Sequence, residues 1–211
     1  MIQSFPSSKH TTVNLSKLMR KISIGFKSVL FFPIIGLLYL LIGTRRRNLI
    51  QSDAGKWSEW KKGPYGFTGL IYLFAVYKEF RSLYYYRVGP AGNLFSGIIK
   101  GESCLYLRCP KIGAGFLVQH GFSTIINADS IGENCKVFQQ VTIGYNGDRR
   151  PTIGDNVMIC AGAKVLGGIT IGSNVIIGAN AVVVHDVPDG SVVCGVPAKV
   201  IGRVAFVDNL K

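Results

Sequence analysis

A mainly β chain, with a parallel β-helix preceded by an apolar, basic helical region, is the fold class this sequence predicts. Three observations predict it. Aliphatic residues recur every six positions through the C-terminal half. The excess positive charge lies in the N-terminal half. Two apolar runs of helical length lie in that same half.

The repeat is read first. Ile153, Ile159, Val165, Ile171, Ile177 and Val183 are six apart, and Ile125, Ile131, Val137 and Ile143 continue the series upstream. A small or aliphatic residue follows four positions later: Val157, Ala163, Ile169, Val175 and Ala181. A period of six fits neither an α-helix nor an alternating strand. It is the signature of a parallel β-helix, in which three hexads make one triangular coil and the aliphatics stack into a continuous core. From Ile112 to Asp189 the pattern gives a little over four coils. Val118 and Ile125 are expected to fill the coil, with His120 at a turn beside Gly121. Ile143 and Ile153 stand ten apart, so "YNGDRRPT" carries an insertion. Insertions in solenoids leave as loops on one face, often the binding face.

The 211-residue chain has a net charge of +13. Residues 1–111 hold 17 Lys/Arg against 4 Asp/Glu, and residues 112–211 hold 7 of each. The basic residues flank apolar runs and no nucleic-acid-binding signature is present, so anionic lipid fits better than nucleic acid. "SVLFFPIIGLLYLLIG", Ser28–Gly43, is sixteen uncharged residues, short of the roughly 20 that span a bilayer. Basic residues lie on both sides, and "TRRRN" follows where a signal peptide would need small residues. We expect a segment in or on the inner face of the cytoplasmic membrane, against the alternative of a helix packed on a partner subunit. Residues 44–66 read as a loop or linker. A helix is expected from Gly69 to Tyr86. The boundaries that follow are 1–110 for the helical region, 111–203 for the β-helix and 204–211 for a tail. Cys104, Cys109, Cys135, Cys160 and Cys194 are odd in number without a C-x-x-C pair, so they read as small buried hydrophobes in a reducing compartment.

The segments "KIGAGFLVQHG", "VFQQVTIG", "GDRRPTIGDNVMICAGAKVLGGITIG", "IGANAVVVHDVP" and "GVPAKVIG" together resemble the hexapeptide acyltransferases. More narrowly they resemble the serine acetyltransferase branch and its relatives that O-acetylate bacterial polysaccharides. The resemblance implies a left-handed β-helix and a homotrimer with acetyl-CoA between adjacent β-helices. It also implies direct acetyl transfer, with a histidine as base and no metal. The position matching that histidine is His120. The matching acetyl-CoA positions are Gly144, Ala161 and Ala179, with Lys199 and Arg203 as candidates for its phosphates.

This chain departs from the pattern on the acceptor side. Gln119 stands where the serine enzymes carry an acid, Leu105 where they carry an aspartate, and Arg150 where they carry a second histidine, after Asp148 and Arg149. Gln119, Asp148, Arg149 and Arg150 are therefore the expected acceptor-binding residues. The departures point to a sugar hydroxyl as acceptor, as in capsule or exopolysaccharide synthesis, with serine as runner-up. Gln119, Asp129 and Asp148 are the candidates to orient His120. His185 reads as a surface residue and His10 as inert. A zinc enzyme needs about three converging histidines, and only His120 and His185 lie in the repeat. A non-catalytic assembly scaffold is the alternative of another class.

Overall fold

A computed structural model describes residues 9–204, with the backbone alone for residues 9–14 and 20. Five helices come first: α1 (Lys9–Leu41), α2 (Thr44–Lys61), α3 (Gly66–Val76), α4 (Lys78–Val88) and α5 (Pro90–Ser96). Their arrangement corrects the sequence reading in three places. The apolar run 28–43 is the C-terminal part of a much longer helix, which runs through Pro33. The expected loop 44–66 is mostly α2. Its buried residues Ile50, Asp53, Ala54, Trp57 and Ser58 repeat every three or four positions, so one face is a core face within a polar segment. The single helix expected over 69–86 is two. Tyr77 between them is extended (φ −107°, ψ 115°), and its ring packs on Trp57 at 5.9 Å. The tyrosine cluster belongs to the core: Tyr84 and Tyr85 are buried, and their hydroxyls donate to the Ile35 and Ile99 carbonyls.

The strands form a left-handed parallel β-helix of five coils. Coil one is β1 (Leu105–Leu107), the bridge residue Ile112 and β2 (Leu117–Val118). Coil two is β3 (Thr124–Ile126), β4 (Ser130–Ile131) and β5 (Lys136–Val137). Coil three is β6 (Thr142–Gly144), β7 (Thr152–Ile153) and β8 (Met158–Ile159). Coil four is β9 (Lys164–Leu166), β10 (Thr170–Ile171) and β11 (Ile176–Ile177). Coil five is β12 (Val182–Val183), the bridge residue Val187 and β13 (Ser191–Gly195). A final strand, β14 (Ala198–Arg203), turns back antiparallel on β13 and closes that end. The first face is β1-β3-β6-β9-β12, the second β4-β7-β10 and the third β2-β5-β8-β11-β13-β14.

The repeat aliphatics stack inside, and from Ile131 to Val183 each is at most 2% exposed. Ile125 is the exception and is 41% exposed. Ile126 stands opposite Ile143 and fills the coil instead, because the turn to Ile131 is one residue shorter. Asn134, Asn156 and Asn174 occupy equivalent corners with φ of 55°, 55° and 57°, a conformation that asparagine tolerates better than most residues. The first coil begins at Leu105, before residue 111, and the helices share one hydrophobic core with it. Of the expected tail, residues 205–211 lie outside the described residues.

A buried ion pair makes the junction. Arg87 of α4 is 5% exposed and Asp53 of α2 is 1% exposed. The guanidinium donates to both Asp53 carboxylate oxygens (2.8 and 3.2 Å) and to the Ile112 and Gly113 carbonyls (both 2.6 Å). Asp53 also accepts the Phe116 N–H at 2.9 Å, and the Trp57 indole N–H donates to the Phe116 carbonyl at 3.0 Å. Burial pushes the Asp53 carboxyl up from 3.8 to about 6, while Arg87 pulls the other way. Arg87→Met strands that carboxylate and is expected to cost about 3–5 kcal/mol in chemical unfolding at neutral pH. Losing Arg87 moves the folded pKa higher still. A raised folded pKa means that stability is fully present below about 3.8 and drains as pH rises through the folded value. The loss in the variant should therefore shrink on acidification, and an equal loss at pH about 5 and about 8 would contradict this account.

Candidate active site

His120 stands on the corner between the third and first faces, in coil one. Val118 and Ile126 stand eight apart, where their register partners Val137 and Ile143 stand six apart, so this corner bulges by two. His120 takes φ 55°, and its carbonyl accepts the Phe122 N–H in a tight turn. Gly121 is required beneath it. A Cβ there would lie 2.9 Å from Val118, 3.1 Å from Leu105 and 3.3 Å from Glu79 of α4. Leu105 is thus a packing residue under the turn. The bulge lifts His120 out of the coil, and it is exposed.

α2 holds the approach to this turn. Asp53 and Trp57 bind the two backbone groups of Phe116. One and two turns on, the Trp60 indole N–H (2.9 Å) and the Lys61 ammonium (2.7 Å) both donate to the Gln119 side-chain oxygen. Burial lowers the Lys61 pKa, with Glu79 opposing it. The Lys136 ammonium lies 3.3 Å from the centre of the Trp60 ring. Gln119 is therefore a strut between α2 and β2. Sequence reasoning missed Asp53, Trp57, Trp60, Lys61 and Arg87. The signal was the spacing of 53, 57, 60 and 61, which puts four residues on one helix face.

The other expected site residues fall in two places. Ala161 and Ala179 share the corner of His120 in coils three and four, where the Asn180 N–H donates to the Ala161 carbonyl at 2.9 Å. Lys199 of β14, paired with Cys194 in register, lies beside the same corner, one strand beyond coil five. Arg203 lies at the other end of β14, and its guanidinium donates to the Asp189 carbonyl at 2.9 Å. Gly144, Asp148, Arg149 and Arg150 gather at the opposite edge of the first face, around the insertion. A Cβ on Gly144 would meet nothing within 4 Å, so open space lies over its backbone. Arg150 pairs with Asp129 (2.8 and 2.7 Å) and donates to Asn127 at 3.2 Å. It clamps the insertion to coil two. Asp148 and Arg149 are exposed and, with Asp129, Arg150, Gly168 and Thr170, line a cleft of about 350 Å³.

This separation bears on what orients His120. Gln119 is occupied by α2, Asp129 by Arg150, and Asp148 lies at the far edge. Among the described residues the His120 imidazole makes no hydrogen bond. Among the described residues, too, no three His, Cys, Asp or Glu side chains converge as a metal site.

Comparison with known proteins places this geometry. Residues 150–185 match the family of bacterial transferase hexapeptide repeats. The chain is 40% identical over 132 residues to a serine acetyltransferase of Bacillus licheniformis, covering 60% of this chain and 58% of that relative. The chain carries hexapeptide repeats and is similar to serine acetyltransferases. The crystal structure of Neisseria gonorrhoeae serine acetyltransferase superimposes with a TM-score of 0.64 at 29% identity, over 77% of this chain and 68% of that one. A second structure of that enzyme, in complex with serine, gives 0.59 at 28% identity over 78% and 73%. This hexapeptide-repeat chain therefore spans a little over half the length of the curated relative.

Arg150→Ala is expected to release the insertion without disturbing the coils. Amide hydrogen exchange should speed up at Asn146 and Arg149, which pair across the loop, while Ile143 and Ile153 keep their protection. Unchanged exchange in the loop would show that Arg150 is not its clamp.

Proposed function

We propose that this chain transfers acetyl from acetyl-CoA directly to an acceptor hydroxyl. The observation that carries the reading is the position of His120, raised on a two-residue bulge at an exposed corner and braced by α2. The acceptor hydroxyl oxygen attacks the thioester carbonyl as its proton passes to the His120 imidazole. Collapse of the tetrahedral intermediate breaks the carbon–sulfur bond, and the leaving thiolate takes the proton back from His120. Such base assistance contributes about 10²–10⁴-fold. Ala161 and Ala179 on the His120 corner, Gly144 across the face and Lys199 leave backbone and charge open to the donor.

The working unit in this reading is a homotrimer. His120 and the insertion lie at opposite edges of the first face, so one subunit cannot close both around a substrate. A neighbouring copy supplies the missing wall and the group that orients His120.

L-Serine is the leading acceptor, because the relatives and structures named above are serine acetyltransferases. The sugar acceptor expected first from the sequence finds no support among them. One observation keeps it as the second reading: Gln119, Leu105 and Arg150 are committed to α2, the coil interior and the loop clamp, so none is free to grip an amino acid. Location at the inner face of the cytoplasmic membrane belongs to the same reading and rests on α1.

His120→Ala should lower CoA release by at least about 10²-fold while the trimeric mass persists in light scattering. A variant of full activity would sink the mechanism. Release should be stimulated by L-serine. Stimulation by nucleotide- or lipid-linked sugars alone would exchange the two acceptors. Absence of thermal protection by acetyl-CoA would favour a scaffold.

A further inference from the structure

We infer that α1 is an interfacial anchor, lying in the plane of an anionic lipid bilayer with one long face among the acyl chains. This deepens the membrane location proposed above and does not depend on acetyl transfer.

The helix is left largely uncovered by the other described residues. Its C-terminal part seats Ile35, Leu38 and Ile42 against α3, but only 11% of its most apolar stretch is buried. Leu15, Leu18, Ile22, Phe26, Val29 and Leu40 are 54–76% exposed. These six, with Leu37, recur at helical spacing, so they form one stripe along Leu15–Leu41, a length of about 40 Å. Lys17 and Lys21 lie on the opposite side of the helix, and Lys27 lies near them. An apolar stripe backed by a basic face is the pattern of a helix that lies in an interface. By length and composition Leu15–Leu41 could cross a bilayer, but Lys17, Arg20, Lys21 and Lys27 fall within it and leave an uncharged run, Ser28–Thr44, of seventeen residues, short of the roughly 20 a span needs. Beside the stripe, Ser28, Val29 and Phe32 of α1 and Thr68 and Ile71 of α3 line a groove of about 520 Å³, open to an acyl chain.

Charge decides between lipid and a second copy of this helix. Residues 1–52 contain eight Lys/Arg and no Asp or Glu. Pairing two such helices would bring together only like charges. Anionic head groups neutralise them, at about 1 kcal/mol per basic residue near the surface.

The test is flotation of the full-length protein with vesicles of phosphatidylglycerol and phosphatidylcholine, compared with phosphatidylcholine alone. Strong flotation is expected only with the anionic lipid and should weaken with salt. Leu18→Asp/Phe26→Asp should reduce the bound fraction at least about tenfold, equivalent to about 1.4 kcal/mol. The stripe touches no residue of the candidate active site, so CoA release in detergent should be unchanged in this variant. If the parent stays unbound at low salt, or the variant floats equally well, the inference is overturned. If the variant instead lowers only the oligomeric mass, a second copy is the occupant and the inference again fails. An inactive protein that floats would count against acetyl transfer alone.

Discussion

Arg87, buried where α4 meets the first coil, holds the two halves of this protein in one register. Its guanidinium ends the carbonyl chain at Ile112 and Gly113 and fixes Asp53, which in turn holds the Phe116 amide. A β-helix has an open end of unpaired strand edge and uncovered core, and solenoids need a cap there. Here α2 and α4 are the cap. Charged groups bound to the backbone, rather than apolar packing alone, set the angle at which the first coil starts. The cap also reaches past the end. Trp57, Trp60 and Lys61 continue along β2 to the residue before His120, so the corner that carries the imidazole inherits its position from a helix some sixty residues upstream.

The β-helix was legible in the sequence because each coil repeats the same physical demand. An inward aliphatic must recur wherever the chain passes the same point of the triangle, and Ile153 to Val183 never miss. Ile125 misled because the turn to Ile131 is one residue shorter, and periodicity read from the long regular part does not register a local deletion. His120 was legible as a turn residue, yet its bulge was not, since the extra residues at the corner leave the surrounding pattern intact. α2 was the largest miss. Its buried face contains Asp53 and Ser58 as well as Ile50, Ala54 and Trp57. A core face that includes a buried carboxylate looks polar until its partner Arg87, 34 residues away, is known.

Gly144 with the insertion, and His120 with Ala161 and Ala179, are well separated within one chain. Gln119 and Arg150, the two polar departures, are both tied down within the chain. Each polar side chain has found an internal partner. Gln119 accepts from α2, and Arg150 is satisfied by Asp129 and Asn127, so neither is left as an unpaired buried group. The chain has converted positions that could face a ligand into ties between its own elements.

The closing strand β14 has a quieter consequence. With helices on one end and an antiparallel strand on the other, the coil count is fixed. Adjacent strands stand about 4.8 Å apart, so the corner edge from coil one to the closing strand β14 measures about 24 Å. Along that edge His120 marks one terminus and Lys199 the other. The repeat number thus works as a ruler: a molecule laid along the edge with its reactive carbon at the imidazole meets the ammonium only if its extended length matches. Gaining or losing a single coil would rescale that distance by one strand spacing while leaving every local contact in the remaining coils as it was.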